Sequence, residues 1–322
     1  MFDRFVIVTR KTALEELVER FNSRAQARFY LEHQGDSFDE YEAAHEQYTR
    51  AVAAVRRGLP RGPRQHVIER SFLPSYLFGD RDLAVTVGPD GLVVNTAKYL
   101  SAQPILAVNP DPARVDGVLI PFSVDEAGEW AARAAAGRAG RQAVTMAKAA
   151  LNDGQALYAF NDLFIGPRSH VSARYRIEYG GQAENHSSSG LIVSTGAGST
   201  GWLQSVVTGA ARITAGVTRL DLTPPAPETY RLPWEADELY FAVREPFTSR
   251  TSQANLVFGK LDARRRLVLH SHMPENGVIF SDGVERDYLN FNAGTVATIG
   301  LAERKAQLIV KDEGGRREAG GG

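Results

Sequence analysis

Residues 83–108 read LAVTVGPDGLVVNTAKYLSAQPILAV, and the order of elements in this stretch decides the fold. Residues 83–87 form a short, β-branched apolar run of strand length. Gly88-Pro89-Asp90-Gly91 then breaks the run as a turn, and residues 92–100 suit a helix. Residues 104–108 are a second apolar strand, closed by Asn109-Pro110-Asp111-Pro112. Apolar strands alternating with helices predict an open, mostly parallel α/β sheet. In such sheets ligands bind beyond the carboxyl ends of the strands, which is where Asp90 and Asn109 fall.

The pattern extends in both directions. Residues 5–9 are an earlier strand. Thr12 with Glu15 three positions on has capping-box spacing and opens a helix expected to run to about Gln34. Leu14, Leu17, Val18, Phe21 and Ala25 share one stripe of it. A second helix is expected over residues 38–57, stopped by Gly58 and Pro60, and a strand over 65–72. After Phe122 the character changes. Residues 125–138 are Ala-rich, a helix or linker, and beyond them short strands alternate with glycine and proline, which predicts an antiparallel, sandwich-like β domain. The expected organisation is an α/β nucleotide-binding domain over 1–122, a β-rich dinucleotide-binding domain over 123–312, and a disordered Gly- and Arg-rich tail over 313–322.

Composition narrows the function classes. The chain has 322 residues, 43 % hydrophobic and 23 % charged, with a net charge of −1. That balance gives no broad basic footprint for nucleic acid or a membrane surface. No apolar stretch reaches the length of a membrane span, and the first ten residues lack a secretory signal. A soluble, cytoplasmic protein is expected. Cysteine is absent, so disulfides, thiolate metal sites and cysteine nucleophiles are excluded together.

Gly196-Ala197-Gly198-Ser199-Thr200-Gly201 follows an apolar strand and matches G-x-G-x-x-G, with Asp221 where a ribose-binding acid of a Rossmann unit would lie. Read alone, this suggests a dinucleotide-dependent dehydrogenase. Against that reading, residues 202–215 make a poor crossover helix, the following strands look antiparallel, and the match lies beyond mid-chain. A P-loop would need a lysine after Gly201, where Trp202 stands.

The same glycines belong to a wider pattern. Val87-Gly88-Pro89-Asp90-Gly91, then Asn161-Asp162-Leu163-Phe164-Ile165-Gly166, then SGLIVSTGAGSTGW at 189–202 occur in an order and spacing that resemble the NAD kinase family. Asn109-Pro110-Asp111-Pro112, Arg244-Glu245-Pro246 and Ser281-Asp282-Gly283 are further echoes, closest to the divergent, mitochondrial-type branch. The resemblance covers about residues 83–300. It implies an α/β domain followed by a β-rich domain, and ATP-dependent phosphorylation of the adenosine ribose 2′-hydroxyl of NAD to give NADP. Mg²⁺ would accompany the ATP, and the chain would assemble as a homodimer or homotetramer.

By the same resemblance Asp90 is the general base, and Asn161 and Asp162 hold adenosine and ribose groups. Gly198, Ser199, Thr200, Gly201, Trp202 and Ser205 form the adenine-contacting turn, while Gly88, Gly91 and Asn109 complete the ligand-facing set. The chemistry suits these residue types, because phosphoryl transfer needs an oriented hydroxyl, a proton acceptor and cradled phosphates. Blander readings stand beside each: Asp90 as an acidic turn residue, Asn161–Asp162 as a strand end or bulge, Trp202 as core. His270 and His272 share a strand face but lack an evident third metal ligand. Arg244 and Arg250 could face phosphates or make surface ion pairs.

Two departures fall on the donor side. Pro89 replaces a glycine and removes an N–H, and Leu92 replaces a hydroxyl residue. Dinucleotide-binding pseudokinases and lipid or sugar kinases of the wider superfamily are therefore the alternatives.

Overall fold

The computed structural model describes residues 2–311, with the backbone alone at 285 and 286. The tail expected at 313–322 lies outside the described residues. The chain divides into two compact units, Met1–Gln142 with Gln307 onward, and Ala143–Ala306.

In the first unit the elements are β1 (Arg4–Thr9), α1 (Ala13–Phe21), α2 (Arg24–Gln34), α3 (Phe38–Gly58), β2 (Arg64–Glu69), β3 (Asp82–Val87), α4 (Asp90–Ala97), β4 (Pro104–Asn109), β5 (Phe122–Ser123) and α5 (Ala127–Ala135). The strands pair in parallel in the order β2-β1-β3-β4. Beyond β4 the sheet is completed by β5 and by Gln307 and Leu308, which pair with Pro104 and Ile105. β3 and β4 are buried along their whole length. One face of the sheet packs Phe5, Ile7, Leu83, Val85 and Leu106 against Val55 of α3 and Trp130 of α5. The other packs Val6 and Val8 against Leu73 and Leu92. Coverage on both faces is the reason these strands read as unbroken apolar runs.

The capping box at Thr12 is present: Thr12 Oγ1 accepts from Glu15 N, and Glu15 Oε2 accepts from Thr12 N at 2.7 Å. The single helix expected to Gln34 is instead two. Asn22 turns left-handed at φ 62°, and Ser23 caps α2 by accepting from Gln26 N. Asn tolerates that conformation better than most residues and Ser is a strong N-cap, so the pair outweighs the continuing apolar stripe.

The second unit takes over within β6 (Gly140–Leu151). It continues with β7 (Ala156–Ala159), β8 (Asp162–Pro167), β9 (Ala173–Tyr179), β10 (Gln182–Ser188), β11 (Leu191–Ser194), α6 (Trp202–Thr218), β12 (Leu239–Val243), β13 (Phe258–Leu261), β14 (Leu267–Ser271), β15 (Gly277–Ser281), β16 (Val284–Asn290) and β17 (Val296–Val310). One sheet of six strands runs β13-β12-β11-β8-β15-β16 and is antiparallel throughout. β10, β9, β14 and the first part of β17 pair antiparallel in another layer. Leu163, Ile165, Val193, Phe241 and Ile279 of the first meet Tyr175, Ile177, Leu269 and Ile299 of the second in one core. The architecture is that expected, a mostly parallel α/β domain and a β-rich sandwich.

Candidate functional site

In the first unit Asp90 follows the carboxyl end of β3 and Asn109 is the last residue of β4. Asp90 is the first residue of α4, after Pro89 as N-cap. Its two carboxylate oxygens accept from Val118 N at 3.0 Å and Leu119 N at 3.1 Å. A carboxylate has about four acceptor positions, so two remain for a ligand proton. Asn109 is buried. Its Nδ2 donates to Val115 O at 2.7 Å and its Oδ1 accepts from Asp111 N at 3.0 Å, so its amide organises its own loop. Gly88 N donates to Val108 O at 3.1 Å and so is engaged within the sheet end. Leu92 is 1 % exposed and packs with Val6, Val8 and Leu73, which makes this departure a core residue and not a vacant donor contact.

The second unit gathers Asn161, Asp162, Thr195 and Gly198. Asn161 stands at a bend between β7 and β8 and Asp162 opens β8, the strand-end position of the blander reading. The cause is Asp282, whose carboxylate accepts from Phe160 N at 2.9 Å, Asn161 N at 2.7 Å and Asp162 N at 3.1 Å. Thr195 closes the other side, donating from Oγ1 to Phe160 O at 2.6 Å and from N to Asn161 O at 2.9 Å. The bend thus consumes backbone groups and leaves side chains for use. The Asn161 amide makes no side-chain hydrogen bond among the described residues, and Asp162 Oδ1 is buried without a partner.

The glycine pattern has a packing explanation. A Cβ on Gly196 would lie 2.2 Å from Pro233 O, and one on Gly198 would lie 2.3 Å from Asn161 O and 2.8 Å from Asp162 Oδ1. Both glycines permit close backbone approach. β11 is antiparallel to both β8 and β12, so the strand before the glycines is not part of a βαβ unit, and the dehydrogenase reading fails. Residues 202–218 are nevertheless helical despite Gly209 and Gly216, with Leu203 as the buried residue. Gly198→Ala is expected to cost about 1–3 kcal/mol of stability through overpacking. At Gly209, inside α6, a Cβ would meet nothing within 4 Å, so Gly209→Ala is the tolerated control. Thermal unfolding of the two variants checks this, and equal midpoints would refute the tight contact.

Trp202 is 38 % exposed and not a core residue. Its ring stacks on Phe164 at 5.7 Å and 19°, and the Arg244 guanidinium lies 5.4 Å from its centroid. Thr200 is exposed, Ser199 is buried with Oγ donating to Gly196 O at 2.7 Å, and Ser205 Oγ donates to Gly201 O at 3.3 Å.

Burial pushes the Asp162 carboxyl up to about 7; the Ser194 hydroxyl opposes this and the nearby Asp282 charge adds to it. Between the ordinary value of 3.8 and about 7 the folded chain holds a proton that the unfolded chain has released. Stability is therefore expected to fall as pH rises through that window. Urea midpoints from pH 5 to 7.5 check this. Asp162→Asn should flatten the decline, and parallel wild-type and variant profiles would remove Asp162 as its source.

Sequence reasoning missed two participants. Asp282 was visible only as a motif echo, and Thr195 only as part of the glycine segment. Among the described residues no group of three His, Cys, Asp or Glu side chains could hold a metal ion. No helix there is long and apolar enough to cross a membrane.

No family model matches the chain. A probable NADH kinase of Oryza sativa subsp. japonica is 27 % identical over 234 residues, 63 % of this chain and 63 % of that protein. The chain thus spans less than two thirds of that curated relative's length. The crystal structure of yeast NADH kinase complexed with NADH superposes with a TM-score of 0.57 at 16 % identity, covering 97 % of this chain and 84 % of that one. An NAD kinase from Archaeoglobus fulgidus in complex with ATP gives 0.54 at 14 %, covering 96 % and 94 %. The chain thus shares its fold with these NAD and NADH kinases and resembles a curated NADH kinase in sequence.

Proposed function

We propose that this chain transfers the γ-phosphoryl group of ATP, supplied as its Mg²⁺ complex, to the adenosine ribose 2′-hydroxyl of NAD or NADH. The 2′-oxygen forms a bond to the γ-phosphorus, the bond from that phosphorus to the β,γ-bridging oxygen breaks, and ADP leaves. The hydroxyl proton passes to Asp90. Asn161 and Asp162 hold adenosine and ribose groups, and Trp202 stacks on adenine with one ring face already supported by Phe164.

The observation that carries this reading is the bend at Asn161–Asp162. Asp282 takes up its three backbone N–H groups, while the half-buried Asn161 amide is left to meet a ligand. Asn109, with its amide engaged, acts on the ligand through the loop it shapes. Gly88 contributes conformation, and Gly91 at the start of α4 has open space around it for an approaching phosphate. A homodimer or homotetramer and a cytoplasmic location belong to the same proposal.

A binding protein without catalysis is the second reading. Its support is the donor turn, where Gly88 N is engaged, Pro89 has no N–H and Leu92 is core. The deciding assay combines purified chain, NAD or NADH, ATP and Mg²⁺, and scores NADP(H). Tight dinucleotide binding with no product would sink the kinase reading and leave the binding protein.

A further inference from the structure

The donor turn offers few groups to a phosphate, yet the same sheet edge holds a cation without a counterion. Arg10 directly follows β1, whose parallel neighbour β3 ends at the donor turn. Its backbone is fixed: Arg10 N donates to Tyr48 Oη at 2.9 Å, and Tyr48 Oη donates to Val87 O at 2.8 Å, one residue before Gly88. Its guanidinium leans on the Tyr48 ring, 5.6 Å from the centroid. Nε is buried and has no hydrogen-bond partner. Nη1 reaches only Lys11 O, at 3.5 Å, and no carboxylate pairs with Arg10 among the described residues. Lys11 by contrast is paired with Glu19.

A half-buried guanidinium with an orphaned N–H is expensive unless an anion completes it. The space for one is present. A cavity of about 650 Å³ is lined by Arg10, Thr12, Glu40, His45, Tyr48 and Arg114. Thr12 Oγ1 and His45 Nδ1 bond each other at 2.9 Å, and Tyr48 Oη is fully engaged, which leaves the guanidinia as donors. Arg114 reaches its own carboxylate neighbour, Asp111, only at 3.9 Å, and Glu40 is exposed at the rim. Two guanidinia at the carboxyl end of parallel strands suit an anion with several phosphate groups, which each fork can grip bidentately.

We propose that this cavity binds a polyphosphate chain, with Arg10 as its principal anchor and Arg114 as a second. As a statement about the phosphate donor this rests on the kinase reading; the anion site itself does not. Arg10 would supply the grip that Pro89 and Leu92 withhold from the donor turn. The polyphosphate could be the tail of a nucleoside triphosphate or a free chain, and both present the same groups.

The test titrates the full chain with ATP, AMP and inorganic tripolyphosphate by calorimetry, for wild type, Arg10→Gln and Arg114→Gln. Tripolyphosphate should bind and raise the wild-type melting temperature, and Arg10→Gln should weaken it about 10-fold or more. Arg10→Gln should itself melt no lower than wild type without ligand, because it removes the buried Nε–H that has no partner. ATP tighter than tripolyphosphate identifies a nucleotide tail; the reverse identifies a free chain. Unchanged tripolyphosphate affinity in Arg10→Gln overturns the site, whether or not NADP forms. Arg10-dependent binding without NADP formation keeps the site and removes the kinase reading.

Discussion

Asp90→Asn is expected to lower kcat for NADP(H) formation by about 10²- to 10⁴-fold, the range for loss of a positioned general base, with little change in the KM for NAD. Asn keeps the shape and one carbonyl acceptor, so one of the two amides at Val118 and Leu119 stays bonded. A purely structural role predicts a different result. The loop at 117–119 would loosen, the melting temperature would drop, and KM would move as much as kcat. Gly117 makes the loop sensitive to such a change, since a Cβ there would already lie 2.9 Å from Asp90 Oδ1. Steady-state kinetics with a melting curve separates the two. Product formation undiminished by Asp90→Asn would remove Asp90 from the proton-acceptor role.

Asp282→Ala should have the largest effect on stability. It unpairs three N–H groups, at Phe160, Asn161 and Asp162, and hydrogen bonds to a charged acceptor contribute about 1.5–3 kcal/mol each. Water can reach part of the bend, so a net loss of about 3 kcal/mol is expected. The functional effect follows from geometry. Without the clamp the bend relaxes toward a continuous strand, and the Asn161 and Asp162 side chains lose their common direction. NAD affinity should fall about 10-fold or more, whereas tripolyphosphate binding at Arg10 should be untouched. Calorimetric titration of both ligands checks this. An Asp282→Ala protein with wild-type NAD affinity would show that the clamp does not set the site.

These two residues mark what local sequence can and cannot convey. β3, Asp90 and β4 were legible because a doubly covered parallel strand is buried and mostly apolar along its length, and Gly, Pro and Asn bracket it. The break at Asn22 was written in the sequence but outvoted by the apolar stripe on either side. β10 was not legible: Gln182–Ser188 carries no apolar alternation, and it forms as an edge strand beside β9. Glu184 there sits at about 2, its burial outweighed by hydrogen bonds from Asn255, His186 and the Leu256 and Asn255 amides. That network reaches about seventy positions along the chain. The bend at Asn161 depends on a carboxylate 121 positions away. A window reading sees only Ala, Phe, Leu and Ile around a polar pair and extends the strand. The glycines at 196 and 198 misled in another way, because close backbone packing and phosphate binding demand the same residue.

The strand β17 gives the first unit a peculiar history. Gln307 and Leu308 complete the edge of β4 at Pro104 and Ile105, some two hundred positions after that edge has been made. During synthesis, the parallel sheet that carries Asp90 leaves the ribosome with the Pro104–Ile105 edge unpaired, and it stays so until Gln307 and Leu308 have emerged. An edge left open for that long invites pairing with other chains. The whole second unit is an insertion made before the first is finished. The parallel sheet therefore cannot be complete early, and its completion waits for Gln307 and Leu308.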